Sequence, residues 1–180
     1  MLRKNTNIFA ESLFLNIMYE GIRKRGNIAE KAEEKFKEWL DTHEIPYLYI
    51  DQSYKTFSKG LQRIFAKRPD FLVLVKPFGF IIVDVKNREP KRGKIFIDEE
   101  ETHKYLQLER LINMRVWYAI SSESHGYDLW FWIPASKVIE VGERKRRRSD
   151  KKPFYIVSLN DFIHIKSDEK DPLTLLFKQF

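Results

Sequence analysis

The stretch Arg68-Pro-Asp-Phe-Leu-Val-Leu-Val-Lys-Pro-Phe-Gly-Phe-Ile-Ile-Val-Asp-Val-Lys86 reads as two apolar strands joined by a tight turn. Phe71–Val75 and Phe80–Val83 are uninterrupted apolar runs, the pattern of strands covered on both faces. Pro77-Phe78-Gly79 suits a three-residue hairpin loop, with Pro at the first turn position and Gly in a left-handed bulge. That register pairs Lys76 with Phe80 and Val75 with Ile81, and runs on to set Asp70 opposite Lys86. Strand alternation puts Phe80, Ile82, Asp84 and Lys86 on one face. Asp70 then falls on the same face, diagonal to Asp84 with about 7–8 Å between α-carbons. A carboxylate in such a run costs several kcal/mol, roughly, unless it is paired or bound to a cation. One bland explanation is a strand emerging into solvent with an Asp–Lys pair at its end. The other is a hard divalent cation, which oxygens hold at about 2.0–2.1 Å and which can bridge two carboxylates so placed. A two-residue loop would turn Asp70 to the opposite face.

Outward from the hairpin, the chain alternates between helical and strand periods. Ile8, Phe9, Leu13, Phe14, Ile17, Met18 and Ile22 give an amphipathic helix over 7–24. A second helix spans 27–44, with Asn27 as N-cap, Glu30 three residues on, and an apolar stripe through Ala32, Phe36, Trp39 and Leu40. Pro46 ends it, and Tyr47–Ile50 reads as a short strand. Residues 54–68 read as loop with some helix. Asp98 followed by three glutamates opens a third helix over 98–113, the acids suiting its positive end. Val116–Ser121, Tyr127–Ile133 and Phe154–Leu159 are further strands, and 160–165 a short helical turn. The order predicts an α/β fold, a central mixed β-sheet flanked by helices.

The chain has 180 residues, which suits one domain. A 43% hydrophobic and 14% aromatic content argues against disorder. With no cysteine there is no disulfide, thiolate metal site or cysteine nucleophile. The expected compartment is cytoplasmic, and the N-terminus reads as mature protein because Glu11 interrupts its apolar stretch. No apolar run reaches the roughly 18 residues of a membrane span. The four histidines lie apart and no Gly-rich nucleotide loop is present. Trp117, Trp130 and Trp132 read most simply as core.

Net charge is +7, and it is concentrated. Residues 54–69 carry five bases and no acid, and residues 143–152 carry seven bases against two acids; the remainder is net −3. Two such clusters in a small domain favour phosphate contacts over mere solvation.

Arg68-Pro69-Asp70, an apolar hairpin and Asp84-Val85-Lys86 together resemble the PD-(D/E)XK nuclease superfamily. Gly26-Asn27-Ile28-Ala29-Glu30 is similar to the start of the first helix in its archaeal Holliday-junction-resolvase-like branch. The resemblance covers roughly 26–135, leaving 1–25 as an N-terminal helical extension and 136–180 as a C-terminal strand and tail packing on the core. It implies a restriction-endonuclease-like core and a metal-dependent DNA endonuclease, with branched or structured DNA as one possible substrate. Asp70, Asp84, Glu30 and the Val85 carbonyl would hold Mg²⁺ or Mn²⁺, and Lys86 would orient water or stabilise charge. Glu33 or Glu34 could replace Glu30, whose plainer role is capping. Lys59, Arg63, Lys67, Arg68, Arg88 and Arg146 are the expected DNA contacts; Lys104 and Gln107 could approach the scissile phosphate. A homodimer is expected for cutting duplex or branched DNA. The rival reading is a nucleic-acid-binding module that keeps the scaffold without the chemistry, and a third is a partner-binding domain.

Overall fold

The computed structural model describes residues 29–51, 59 and 68–178. A helix over 29–42 (α1) leads to β1 (Tyr47–Tyr49), β2 (Phe71–Val75) and β3 (Gly79–Asn87). Then come β4 (Lys94–Asp98), α2 (Glu99–Ile112), β5 (Val116–Ser121), β6 (Leu129–Pro134) and α3 (Ala135–Val141). The chain ends through β7 (Glu143–Arg146), β8 (Pro153–Ser158), β9 (Ile163–Lys166) and a 3₁₀ segment, Pro172–Phe177. The expected helix over 7–24, the Asn27 cap and most of the 54–68 segment lie outside the described residues.

Six strands form a mixed sheet in the order β1-β2-β3-β5-β6-β9. Only β3 and β5 run parallel, and their connection passes through β4 and α2. A parallel pair needs such a crossover, and it is what sets α2 over the sheet. On one side, Phe71, Val73, Ile81, Val83, Val85, Trp117, Trp130 and Trp132 pack against Ala32, Phe36, Trp39 and Leu40 of α1. On the other, Ile82, Tyr118, Ile120 and Phe131 pack against Tyr105 and Leu108 of α2 and Val138 of α3. Both faces of β5 are therefore covered, and all six of its residues are buried. The central mixed sheet flanked by helices is the architecture expected, and the tryptophans are core.

The hairpin register differs from the expectation by two residues. Val75 pairs with Gly79 and Phe71 with Val83, so the loop is Lys76-Pro77-Phe78 and Gly79 belongs to the strand, with φ +100°. The reason is that Gly79 opens β3 rather than closing the turn. Continued one residue past the ladder, this register sets Asp70 against Asp84 and not against Lys86, an even shift; Asp70 itself lies just outside β2, its N–H donating to Val83 O. β3 also runs past Val83 to Asn87, held by β5 through Asn87↔Ser121. Asp84 and Lys86 thus lie within a strand and do not emerge into solvent.

A second, three-stranded antiparallel sheet, β4-β8-β7, was not foreseen. Ile95, Ile97, Tyr155 and Val157 turn inward to the α2 side of the core. The basic cluster over 143–152 begins as a strand: Glu143–Arg146 is β7, exposed along its whole length. Four charged side chains in a row make a sheet edge that resists further strand pairing. The short helical turn expected over 160–165 is present as a 3₁₀ turn at Leu159–Asp161, and the rest of that stretch is β9, which pairs with β6.

Phe36 lies at the centre of the α1 contact, with Phe71 and Trp130 ring centroids at 5.1 and 5.0 Å. Phe36→Ala should cost about 3–5 kcal/mol in urea unfolding. Phe80→Ala, at a half-exposed ring, should stay within about 0.5 kcal/mol of the parent; equal losses would contradict this packing.

Candidate functional site

β2 stops at its N-terminal end while β3 continues, and this uneven end builds the site. The Val85 N–H points to the side where β2 has run out, and a buried N–H needs an acceptor. Asp70 supplies it: its Oδ2 accepts from Val85 N at 2.8 Å. The Asp70 backbone is fixed on both sides, its N–H donating to Val83 O at 3.1 Å and its carbonyl accepting from Ile50 N at 2.9 Å. The Val85 carbonyl points to the same edge as its N–H.

Asp84 is 0% exposed. Its Oδ1 accepts from the Tyr105 hydroxyl, and its Oδ2 pairs with Lys86 Nζ. Lys86 Nζ also meets Glu101 Oε1 at 2.8 Å. Glu101 and Tyr105 are one turn apart on α2 and so present one edge to β3. That helix is started by Asp98, whose carboxylate accepts from Glu101 N at 3.0 Å.

These groups hold one another's charge away from its ordinary balance. Burial, then the neighbouring Asp84 charge, pushes the Asp70 carboxyl up to about 7; Lys86 and the Val85 N–H oppose this, and Glu33 adds to it. Burial and the Asp84 charge drive the Tyr105 hydroxyl well above its ordinary value, so it remains a donor.

Of the first-helix carboxylates, Glu33 is the one whose charge reaches Asp70; Glu30 and Glu34 are exposed. Glu33 accepts from the Tyr49 hydroxyl at 2.8 Å, and Tyr49 in turn packs on Phe71. Glu101 and Tyr105 were missed from the sequence. Their signal was there, a carboxylate and a phenol four apart on the helix that follows the Asp-x-Lys strand.

Asp70 and Asp84 offer hard oxygens close enough for their charges to act on one another, and that mutual repulsion is what a divalent cation relieves. The donor chemistry therefore suits Mg²⁺ or Mn²⁺. Among the described residues, however, no group of three or more acidic or histidine side chains is gathered for a metal. In this arrangement Lys86 supplies the positive charge on Asp84.

The expected DNA contacts are scattered. Lys59 and Arg146 are exposed, and Arg68 donates to Asp51 O at 3.1 Å. Arg88 is half-buried just past the end of β3. Arg63 and Lys67 lie outside the described residues. Lys104 pairs with Glu100, and Gln107 is exposed. Arg144 forks onto Glu99, with Nε–Oε2 at 2.6 Å and NH2–Oε1 at 3.0 Å, tying β7 to α2. Among the described residues no helix is long and apolar enough to cross a membrane.

No family model matches the sequence, and no curated protein matches it. Solved structures do align with it, among them two nucleases. One is Hjc, a Holliday junction resolvase from Archaeoglobus fulgidus, at 10% identity over 77% of this chain and 90% of that one, with a TM-score of 0.48. The other is a nuclease from a fusselovirus, at 13% identity over 98% of this chain and 92% of that one, with a TM-score of 0.40.

The Asp70 shift makes stability depend on pH. In the unfolded chain the carboxyl ionises near 3.8, in the folded one near 7. Between these values the folded state keeps a proton that the unfolded state has lost, so this group's contribution falls as pH rises. Asn at position 70 cannot ionise yet still offers Val85 an oxygen. In metal-free buffer, Asp70→Asn should match the parent near pH 4, gain on it up to about pH 7 and stay level above. Thermal unfolding across that range measures this, and a variant losing ground as pH rises would contradict it.

Proposed function

We propose that this chain is a metal-dependent DNA endonuclease of the PD-(D/E)XK type. The observation that carries the reading is the neighbourhood of Asp70 and Asp84: the Asp70 carboxylate accepts from Val85 N, next to Asp84, and feels the Asp84 charge, with Lys86 two residues beyond Asp84 on the same strand. Asp70, Asp84 and Lys86 are neighbours where the covered sheet ends unevenly, which supports this reading; Glu30 is exposed. The restriction-endonuclease-like core and a DNA substrate belong to the same proposal, as does a homodimer for duplex or branched DNA.

Asp70, Asp84 and the Val85 carbonyl would hold the ion, with Glu33 the first-helix carboxylate nearest in charge. Bound there, Mg²⁺ or Mn²⁺ would lower the pKa of a water and neutralise charge on the phosphate. The chain's own groups do the positioning. Tyr105 fixes Asp84 through a hydroxyl that stays protonated. Lys86, 17% exposed at its side chain, carries the cation that can face a nonbridging phosphate oxygen. Glu101 holds Lys86 from the α2 side. The exposed basic residues of β7 and the following turn would meet flanking phosphates.

A second reading is favoured by one observation. Lys86 already bridges Asp84 and Glu101, which is the charge balance of a binding module that needs no metal. The two readings part experimentally. Plasmid, single-stranded and four-way-junction DNA should be cut with Mg²⁺ or Mn²⁺, and Asp84→Ala or Lys86→Ala should lower the rate by at least about a hundredfold. If no substrate is cut above the Asp84→Ala control, and calorimetry finds no Mn²⁺ binding, the module is the correct reading.

A further inference from the structure

Just past the end of β3, Arg88 lines a separate cleft of about 370 Å³. Lys91, Arg147 and Asp98 line it with Arg88, and Phe96 and Phe154 form its apolar wall. The volume lies within the range of small-molecule sites. The half-buried Arg88 guanidinium has five N–H donors in a fixed plane. Among the described residues, no hydrogen bond or ion pair to that side chain is found. Burial lowers its ionisation from the ordinary arginine value, with the charges of Asp98 and Asp84 acting against that. Asp98 is partly spent on capping α2 and lies 3.9 Å from Arg147. The lining is therefore net positive, and its central cation has donors to spare.

The two phenyl rings stand on the outer face of the second sheet, with centroids 5.7 Å apart and planes 43° apart. Their neighbours Ile95, Ile97 and Tyr155 point inward and form the core. These rings are only half-buried. An apolar aromatic wall facing unsatisfied guanidinium donors matches a ligand with a flat π-face and an anionic group. Bases in a duplex keep their faces stacked on each other, whereas an unpaired base can offer its face to an aromatic ring.

We propose that this cleft binds one unpaired nucleotide of a DNA strand, with its phosphate on Arg88, Lys91 and Arg147 and its base against Phe96 and Phe154. The inference deepens the nuclease reading and rests on it for the class of ligand. It makes single-stranded or locally opened DNA the preferred form.

The test is fluorescence anisotropy in EDTA, so that no cleavage intervenes, using oligo-dT of about a dozen nucleotides, the same length with abasic sites, and a duplex. The base-bearing single strand should bind tightest. Loss of the bases, or Phe96→Ala or Phe154→Ala, should weaken single-strand binding roughly tenfold while leaving the duplex unchanged. Arg88→Gln should weaken both strands and reduce the salt slope by about 0.7 on the single strand. Equal binding of abasic and base-bearing strands by the parent protein overturns the proposal, whatever the variants do. Discrimination by a parent protein that never cuts DNA would sustain the cleft and remove the nuclease reading, so the two fail separately.

Discussion

The rest of the structure is organised around a carboxylate withdrawn completely from water. Asp84 sits in the middle of a nine-residue strand, with apolar neighbours before and after it and a helix across its face. Left alone there, an ionised group would cost several kcal/mol, roughly. Two partners offset that cost, a phenol from α2 and an ammonium from its own strand. The phenol, and Glu101, which holds that ammonium from the helix side, demand that α2 lie at a fixed height over β3. The crossover from β3 to β5 sets that height, and the Asp98 cap fixes where the helix begins. The Arg144 fork on Glu99 then fastens the second sheet to the same helix. Local cap, crossover and ion pair thus serve one buried charge.

Much of the fold could be read from residue pattern because its strands are apolar on both faces. Phe71–Val75 and Val116–Ser121 stand where their continuous hydrophobic runs put them, and α2 begins where Asp98 and three glutamates announce it. The second sheet was illegible for a physical reason. β4 alternates Lys94, Ile95, Phe96, Ile97 with few residues to judge by, and β7 is wholly charged, which carries no strand signal. Only pairing with β8 makes a strand of Glu143–Arg146, and pairing is a non-local property.

The site shows the same division. Asp70, Asp84 and Lys86 were legible because charged residues in an apolar strand have to be accounted for. Their relation to one another survived an incorrect register only because the error was two residues, a full strand period. The contributions of Glu101 and Tyr105 were harder to read, since each by itself is an ordinary residue on an amphipathic helix and only their spacing of four marks the pair. Glu33 was open as an alternative to Glu30. What favours it is helix phase: Glu33 lies three residues before Phe36, at the border of the buried stripe, while Glu30 looks outward.

The bond from Val85 to the side chain of Asp70 has a consequence for how the sheet tolerates change. A carboxyl group accepts through its carbonyl oxygen whether or not it carries a proton. Asp70 can therefore exchange its charge near neutrality while the frayed border of the ladder stays tied. The architecture is indifferent to the titration it houses, and a nearly buried carboxyl group is left to respond to whatever cation arrives without loosening the scaffold behind it.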